Sequence, residues 1–225
     1  MASNKLKWLP YELPEGIAKH AYLNSPDVGR EFSTGNYSVT LVYLAGSPQL
    51  AEAEKFFAAR VAEREATMRA KTGKKVIKVE NPLKPEIVKV KDSEGNDTGE
   101  RIETGNKEIK LKVEPAWKDG TPRPLRLLAP TNDPATPVRR VKETIFGGSK
   151  LKVSIDMNPE PVTAKGQYFL QHRMIEVLVT ELAERRTANS DPSKSRFGNV
   201  AEDEDDDNQS TDGETTDGKG NAGDF

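Results

Sequence analysis

Four lysines stand in two matching pairs. In residues 108–113 (EIKLKV), Lys110 and Lys112 alternate with Ile109, Leu111 and Val113; in residues 150–157, Lys150 and Lys152 alternate with Leu151, Val153 and Ile155. An extended strand sends successive side chains to opposite faces, so each run turns its apolar residues to a core and its lysines away from it. Ammonium groups arrayed like this neutralise phosphates, and two such strands can lay a basic stripe across a sheet. The ordinary alternative is a solvated strand face.

Phosphate contacts do not separate single strands from duplex, whereas exposed rings do, because unpaired bases stack on them and a duplex hides its base faces. The candidate rings are Tyr22, Tyr37, Tyr43, Trp117, Tyr168 and Phe169, with Arg173 as a further cation nearby in sequence. Trp117, between Pro115 and Lys118 in a turn-like stretch, is the ring expected to be most exposed. Phe56 or Phe57, and one of Tyr168 and Phe169, are expected to face inward. Each stacked base contributes roughly 1–3 kcal/mol, so two or three rings with several phosphate contacts suffice for useful affinity.

The elements that must hold these residues are mostly strands. Residues 37–44 (YSVTLVYL) are rich in β-branched and aromatic side chains and follow Gly35 and Asn36, which predicts a strand. Ser47 as N-cap with Pro48 in the first helical position opens a helix to about Ala70, with Leu50, Ala53, Phe57, Val61 and Met68 as its apolar stripe. Short strands are expected at 76–79 and 87–90, divided by Pro82 and Pro85, with a flexible turn over 92–99. Residues 167–182 (QYFLQHRMIEVLVTEL) read as a long closing strand, with helix the competing reading. Short strands, one amphipathic helix and exposed bases are compatible with a small Greek-key barrel, and an OB-fold suits them.

Charge divides the chain. Residues 201–225 hold ten acids against Lys219 alone, a net of −9, while the other 200 residues hold 33 bases and 26 acids, a net of +7. A basic body is thus joined to its own polyanion, the pattern of a protein whose body binds an anionic polymer. We expect a domain over 1–186, a linker over 187–200 and a disordered acidic tail over 201–225. The tail ends on Asp224 and Phe225, downstream of the acidic run that includes Asp205, Asp206 and Asp207. A tail serving only solubility has no need of a terminal ring; a ring beside two carboxylates makes a compact hook for a partner's pocket.

Other chemistry is weaker. The chain lacks cysteine, so disulfides, thiolate metal sites and cysteine nucleophiles are excluded. His20 and His172 are too far apart to form a metal pair by spacing, and the acids of the body form no obvious metal cluster, which disfavours zinc chemistry and a magnesium nuclease. Gly147, Gly148, Ser149 and Lys150 are only a fragment of a phosphate-binding loop. No cofactor and no catalytic residue are expected. No run has the length of a membrane span or signal sequence, so we expect a soluble, unexported protein in a reducing cytoplasm.

Taken in order, residues 21–44 (AYLNSPDVGREFSTGNYSVTLVYL), the following helix, residues 146–153 (FGGSKLKV), the run to VTELA and the acidic end in Asp224 and Phe225 resemble the single-stranded DNA-binding proteins of T-seven-type bacteriophages. The resemblance covers most of the chain, loosely over 71–141. It implies an OB-fold with a helix inserted after the first strand, coating and protecting single-stranded DNA in phage replication, recombination and repair in the cytoplasm of an infected bacterium. It also implies strand annealing, a tendency to form a homodimer, and a tail that competes with DNA and recruits DNA polymerase and primase-helicase. Phosphate contact carries over best to Lys150 and Lys152 and less firmly to Lys110 and Lys112. The tail here is less densely acidic than the family pattern, so weaker self-inhibition is expected. The competing reading is an interaction adaptor whose basic body binds duplex DNA or protein while its tail docks a partner.

Overall fold

The run of β-branched and aromatic residues that begins at Tyr37 forms a central strand, buried from Ser38 to Tyr43. The computed structural model describes residues 8–28, 35–117, 119–123, 125–164 and 167–184, all within the unit Met1–Thr187. The expected linker and tail, with Asp205, Asp206, Asp207, Asp224 and Phe225, lie outside the described residues.

In chain order the elements are β1 (Leu9–Glu12), β2 (Gly16–Tyr22), β3 (Tyr37–Tyr43), α1 (Pro48–Thr72), β4 (Val79–Glu80), β5 (Lys84–Lys91) and β6 (Asp97–Val113). They continue with β7 (Arg126–Pro130), β8 (Val138–Arg140), β9 (Lys150–Met157), β10 (Val162–Ala164), β11 (Gln167–Phe169) and β12 (His172–Glu181). The main sheet runs β5, β6, β3, β2, β9, β12, β7, β8, with β1 also paired to β9. The sheet coils on itself so that β12 meets β6, where His172 Nε2 lies 3.4 Å from the Lys110 carbonyl oxygen. Around the resulting barrel the order is β2, β3, β6, β12, β9. Numbered along the chain this is first, second, third, fifth, fourth, the order of an OB-fold.

Alternation fills the barrel. Val39, Leu41, Ile109, Leu111, Leu151, Val153, Ile155, Met174, Val177 and Val179 are all buried, each worth about 1.5–3 kcal/mol relative to exposure. β2 and β3 approach closely because position 16 is glycine: a Cβ there would stand 3.2 Å from Leu41 Cβ and from the Tyr43 ring. The helix starts where its caps direct. Leu50 N–H donates to Ser47 Oγ at 3.1 Å, and Gly73, at φ 69°, ends the helix by donating to the Arg69 carbonyl at 2.9 Å. Leu50, Ala53, Phe57 and Met68 are buried as the stripe requires, with Val61 partly so.

Several details differ from the sequence reading. The helix follows the third strand, because β1 and β2 precede the strand that the sequence displays most clearly. The turn expected over 92–99 is shorter: Asp92 Oδ1 accepts the N–H groups of Glu94 and Asn96 at 2.9 Å, and β6 already begins at Asp97. Residues 167–182 are extended, as two strands: β11 joins a separate sheet with β10 and β4, and β12 closes the barrel.

Candidate nucleic-acid interface

A cleft of about 540 Å³ opens where β7, β9 and β12 meet the loop between β6 and β7, lined by Trp117, Arg123, Arg126, Arg140, Asp156 and Arg173 among others. The loop owes its shape to backbone hydrogen bonds. Ala116 and Pro122 form a bridge, Trp117 N–H donates to the Thr121 carbonyl at 2.8 Å, and Arg123 N–H donates to the Pro115 carbonyl at 2.7 Å. Gly120 turns the tip at φ 83°, a conformation that suits glycine. Trp117 and Arg123 therefore face each other, with the guanidinium carbon 4.2 Å from the indole centroid. Trp117 remains 48% exposed.

The second half of the cleft repeats the arrangement. Arg173 at the start of β12 lies opposite Asp156 on β9, and its Nη2 and Nε donate to Asp156 Oδ2 at 2.8 and 3.3 Å. The same guanidinium sits 4.4 Å from the ring centroid of Trp8, just before β1. Parallel pairing of β7 with β12 brings in Arg126, 3.5 Å from Glu176, and antiparallel pairing of β8 with β7 adds Arg140 opposite Leu128. Burial holds the Arg123 guanidinium below the usual arginine range, and repulsion from Arg173 adds to this, partly offset by Asp156 and Glu114. It stays charged at neutral pH. Four arginines against Asp156 and Glu176 leave a net positive cleft lined by the Trp117 indole, with a second indole, Trp8, against the Arg173 guanidinium.

Of the residues expected from sequence, Trp117 and Arg173 line this cleft. Lys152 is exposed on the outward face of β9, the face that carries Asp156 four residues on. Lys150 shares that face and forms an ion pair with Glu181. Lys110 and Lys112 lie on β6, which in the closed barrel stands apart from β9 by β12 on one side and by β3 and β2 on the other. Tyr43 requires a correction as a stacking ring. It is 1% exposed, and its hydroxyl donates to the Pro14 carbonyl at 3.3 Å, so no face of it is open to a base. Tyr37 packs partly buried on the core opposite Val113. Tyr168 and Phe169 lie half-buried in β11, away from the cleft lining. The GGSK fragment is structural: Gly148 N–H donates to the Ala18 carbonyl at 2.8 Å, and the buried Ser149 Oγ accepts Ala183 N–H at 3.0 Å.

Sequence reasoning missed Trp8, Arg123, Arg126 and Arg140. A signal existed in the density of arginine over 123–126 (RPLR) and at 139–140, but nothing in the chain sets these beside Arg173 except the β7–β12 pairing. Among the described residues no group of three histidines or acids is placed to hold a metal ion.

The barrel with its helix has the fold seen in a phage single-stranded DNA-binding protein. One similar structure is the crystal structure of gp2.5, a single-stranded DNA-binding protein encoded by bacteriophage T7, with a TM-score of 0.52 and 18% identity, covering 87% of this chain and all of that one. The single-stranded DNA-binding protein from bacteriophage Enc34, in complex with single-stranded DNA, is similar at a TM-score of 0.47 and 13% identity, over 81% of this chain and 95% of that one. No known family model matches the sequence, and no curated protein matches it.

Proposed function

We propose that this protein binds single-stranded DNA in the arginine-lined cleft, without catalysis, as part of a phage replication and recombination system in the cytoplasm of the infected host. The observation that carries the proposal is the pairing of each of two indoles with an arginine of the cleft, Trp117 with Arg123 and Trp8 with Arg173. Arginines engage phosphates along a backbone, and indoles accept unpaired bases of any sequence. A duplex would satisfy the arginines alone. The likeness of the fold to the T7 protein supports the reading.

The acidic tail fits this function as a competitor and a hook. Its net charge of −9 suits the cationic cleft, and its terminal Phe225 suits a pocket on a replisome protein such as DNA polymerase or primase-helicase. Strand annealing and a homodimer belong to the same proposal. Trimming Phe225 is expected to leave DNA affinity nearly intact and abolish polymerase binding; retained polymerase binding would mean that charge alone makes the contact.

The site supplies its own probe, because Trp8 and Trp117 are the two tryptophans of the chain and both lie against cleft arginines. Titration with a single-stranded oligonucleotide is expected to quench intrinsic fluorescence to saturation, and a matched duplex to quench it weakly. Tight binding without any fluorescence change would place the DNA elsewhere.

A further inference from the structure

A carboxylate in a phosphate-binding cleft works against affinity, so Asp156 requires a reason. Part of the reason is Arg173, which Asp156 holds through one oxygen only: both guanidinium contacts fall on Oδ2. Among the described residues no hydrogen-bond donor reaches Oδ1, although Asp156 lines the cleft together with Trp117, Arg123 and Arg173. A charged acceptor is left open in a cleft that holds one platform for a base, Trp117.

We propose that Asp156 Oδ1 reads the edge of a base stacked in the cleft, and that it selects bases carrying an exocyclic amino group over thymine. The inference rests on the single-strand reading above. A carboxylate oxygen only accepts hydrogen bonds, and the N4 amino group of cytosine offers it two donors. Thymine presents O4 at the same place. Its N3–H lies between two carbonyl oxygens, so bringing that edge to a carboxylate sets acceptors against acceptor. Oδ2 is already engaged by Arg173, which leaves one oxygen for one donor and fixes the direction from which it accepts. Asp156 thus offsets its repulsion of phosphate with a preference among bases, and Arg173 keeps its plane from turning away.

The test is a competition titration of full-length protein with dT, dC and N4,N4-dimethyl-dC oligonucleotides of one length, at slightly alkaline pH, where cytosine runs stay unpaired. The expected result is dC bound several-fold more tightly than dT, with the preference lost for the dimethylated base, which has no N4–H. In Asp156→Ala the dC and dT affinities should converge. In Asp156→Asn the preference should shrink, because an amide can turn its NH₂ toward O4 of thymine. Equal affinity for dC and dT in the unaltered protein, or a preference that survives Asp156→Ala, overturns the inference. A loss shared equally by every base in both variants overturns it too, since this is what a role confined to positioning Arg173 would give. Failure to bind any of the three overturns the single-strand reading itself.

Discussion

Arg123 holds its guanidinium carbon 4.2 Å from the Trp117 ring centroid, on a loop whose backbone hydrogen bonds fix both residues. This joins in one unit the two interactions that a single strand needs, a ring for the base and a cation for the phosphate. Trp117→Ala is expected to weaken single-strand binding by about 1–3 kcal/mol with little change in its salt dependence. Arg123→Ala should lower the slope of log affinity against log salt by roughly 0.7, the release expected from one phosphate contact on a single strand. Titrations at several salt concentrations separate the two effects, and equal changes in slope would contradict the assignment.

The two lysines of β9 are not equivalent. Lys152 is exposed, whereas Lys150 is held by Glu181. Lys152→Ala is therefore expected to reduce the salt slope more than Lys150→Ala. Glu181→Gln should raise single-strand affinity if Lys150 is drawn to phosphate once released, and the same titrations measure it.

His172 makes stability depend on pH. Burial holds its imidazole below the ordinary range, and this outweighs the carbonyls of Lys110 and Leu170, which favour the charged form. The unfolded chain therefore takes up the proton first as pH falls below about 6.5. Stability from this group is complete above that value and declines as pH falls toward the depressed folded value. Denaturation midpoints should fall between pH 7.5 and 5.5, and His172→Gln should remove part of that slope. An unchanged slope would place the effect on other groups.

Arg64 lies in the buried stripe of α1, 3% exposed, with Nη1 on Glu63 at 2.9 Å and with Nε and Nη2 lacking a hydrogen-bond partner among the described residues. Unsatisfied buried donors cost about 1–3 kcal/mol, and apolar replacements of buried ions are often stabilising. Arg64→Met is expected to raise stability in urea denaturation by about 1 kcal/mol or more. A loss would show that the guanidinium finds partners in solution.

Local rules made the strands at 37–44, 108–113 and 151–157 and the start of the helix legible, because a two-residue alternation or an N-cap is written in neighbouring residues. Tyr43 also had a readable fate. It shares the parity of Val39 and Leu41, and that face is the barrel interior. The strands β1 and β2 were hidden because Pro10, Pro14 and Gly16 interrupt them, and their pairing with β9 is long-range. The site was half legible: Trp117 stood out through its turn and Arg173 through its strand. Arg126 and Arg140 reach the same cleft only through the pairing of β12 with β7 and of β7 with β8, and Trp8 meets Arg173 only through the pairing of β9 with β1 and β12.

The central claim is tested most directly by polarisation titrations of one labelled oligonucleotide, as single strand and as duplex, with full-length protein and with a chain ending at Val200. The account predicts clear preference for the single strand and, as the proposed competition by the tail requires, tighter binding after truncation. Equal affinity for both forms, indifferent to the tail, would contradict it and favour an adaptor that binds duplex or protein through charge alone.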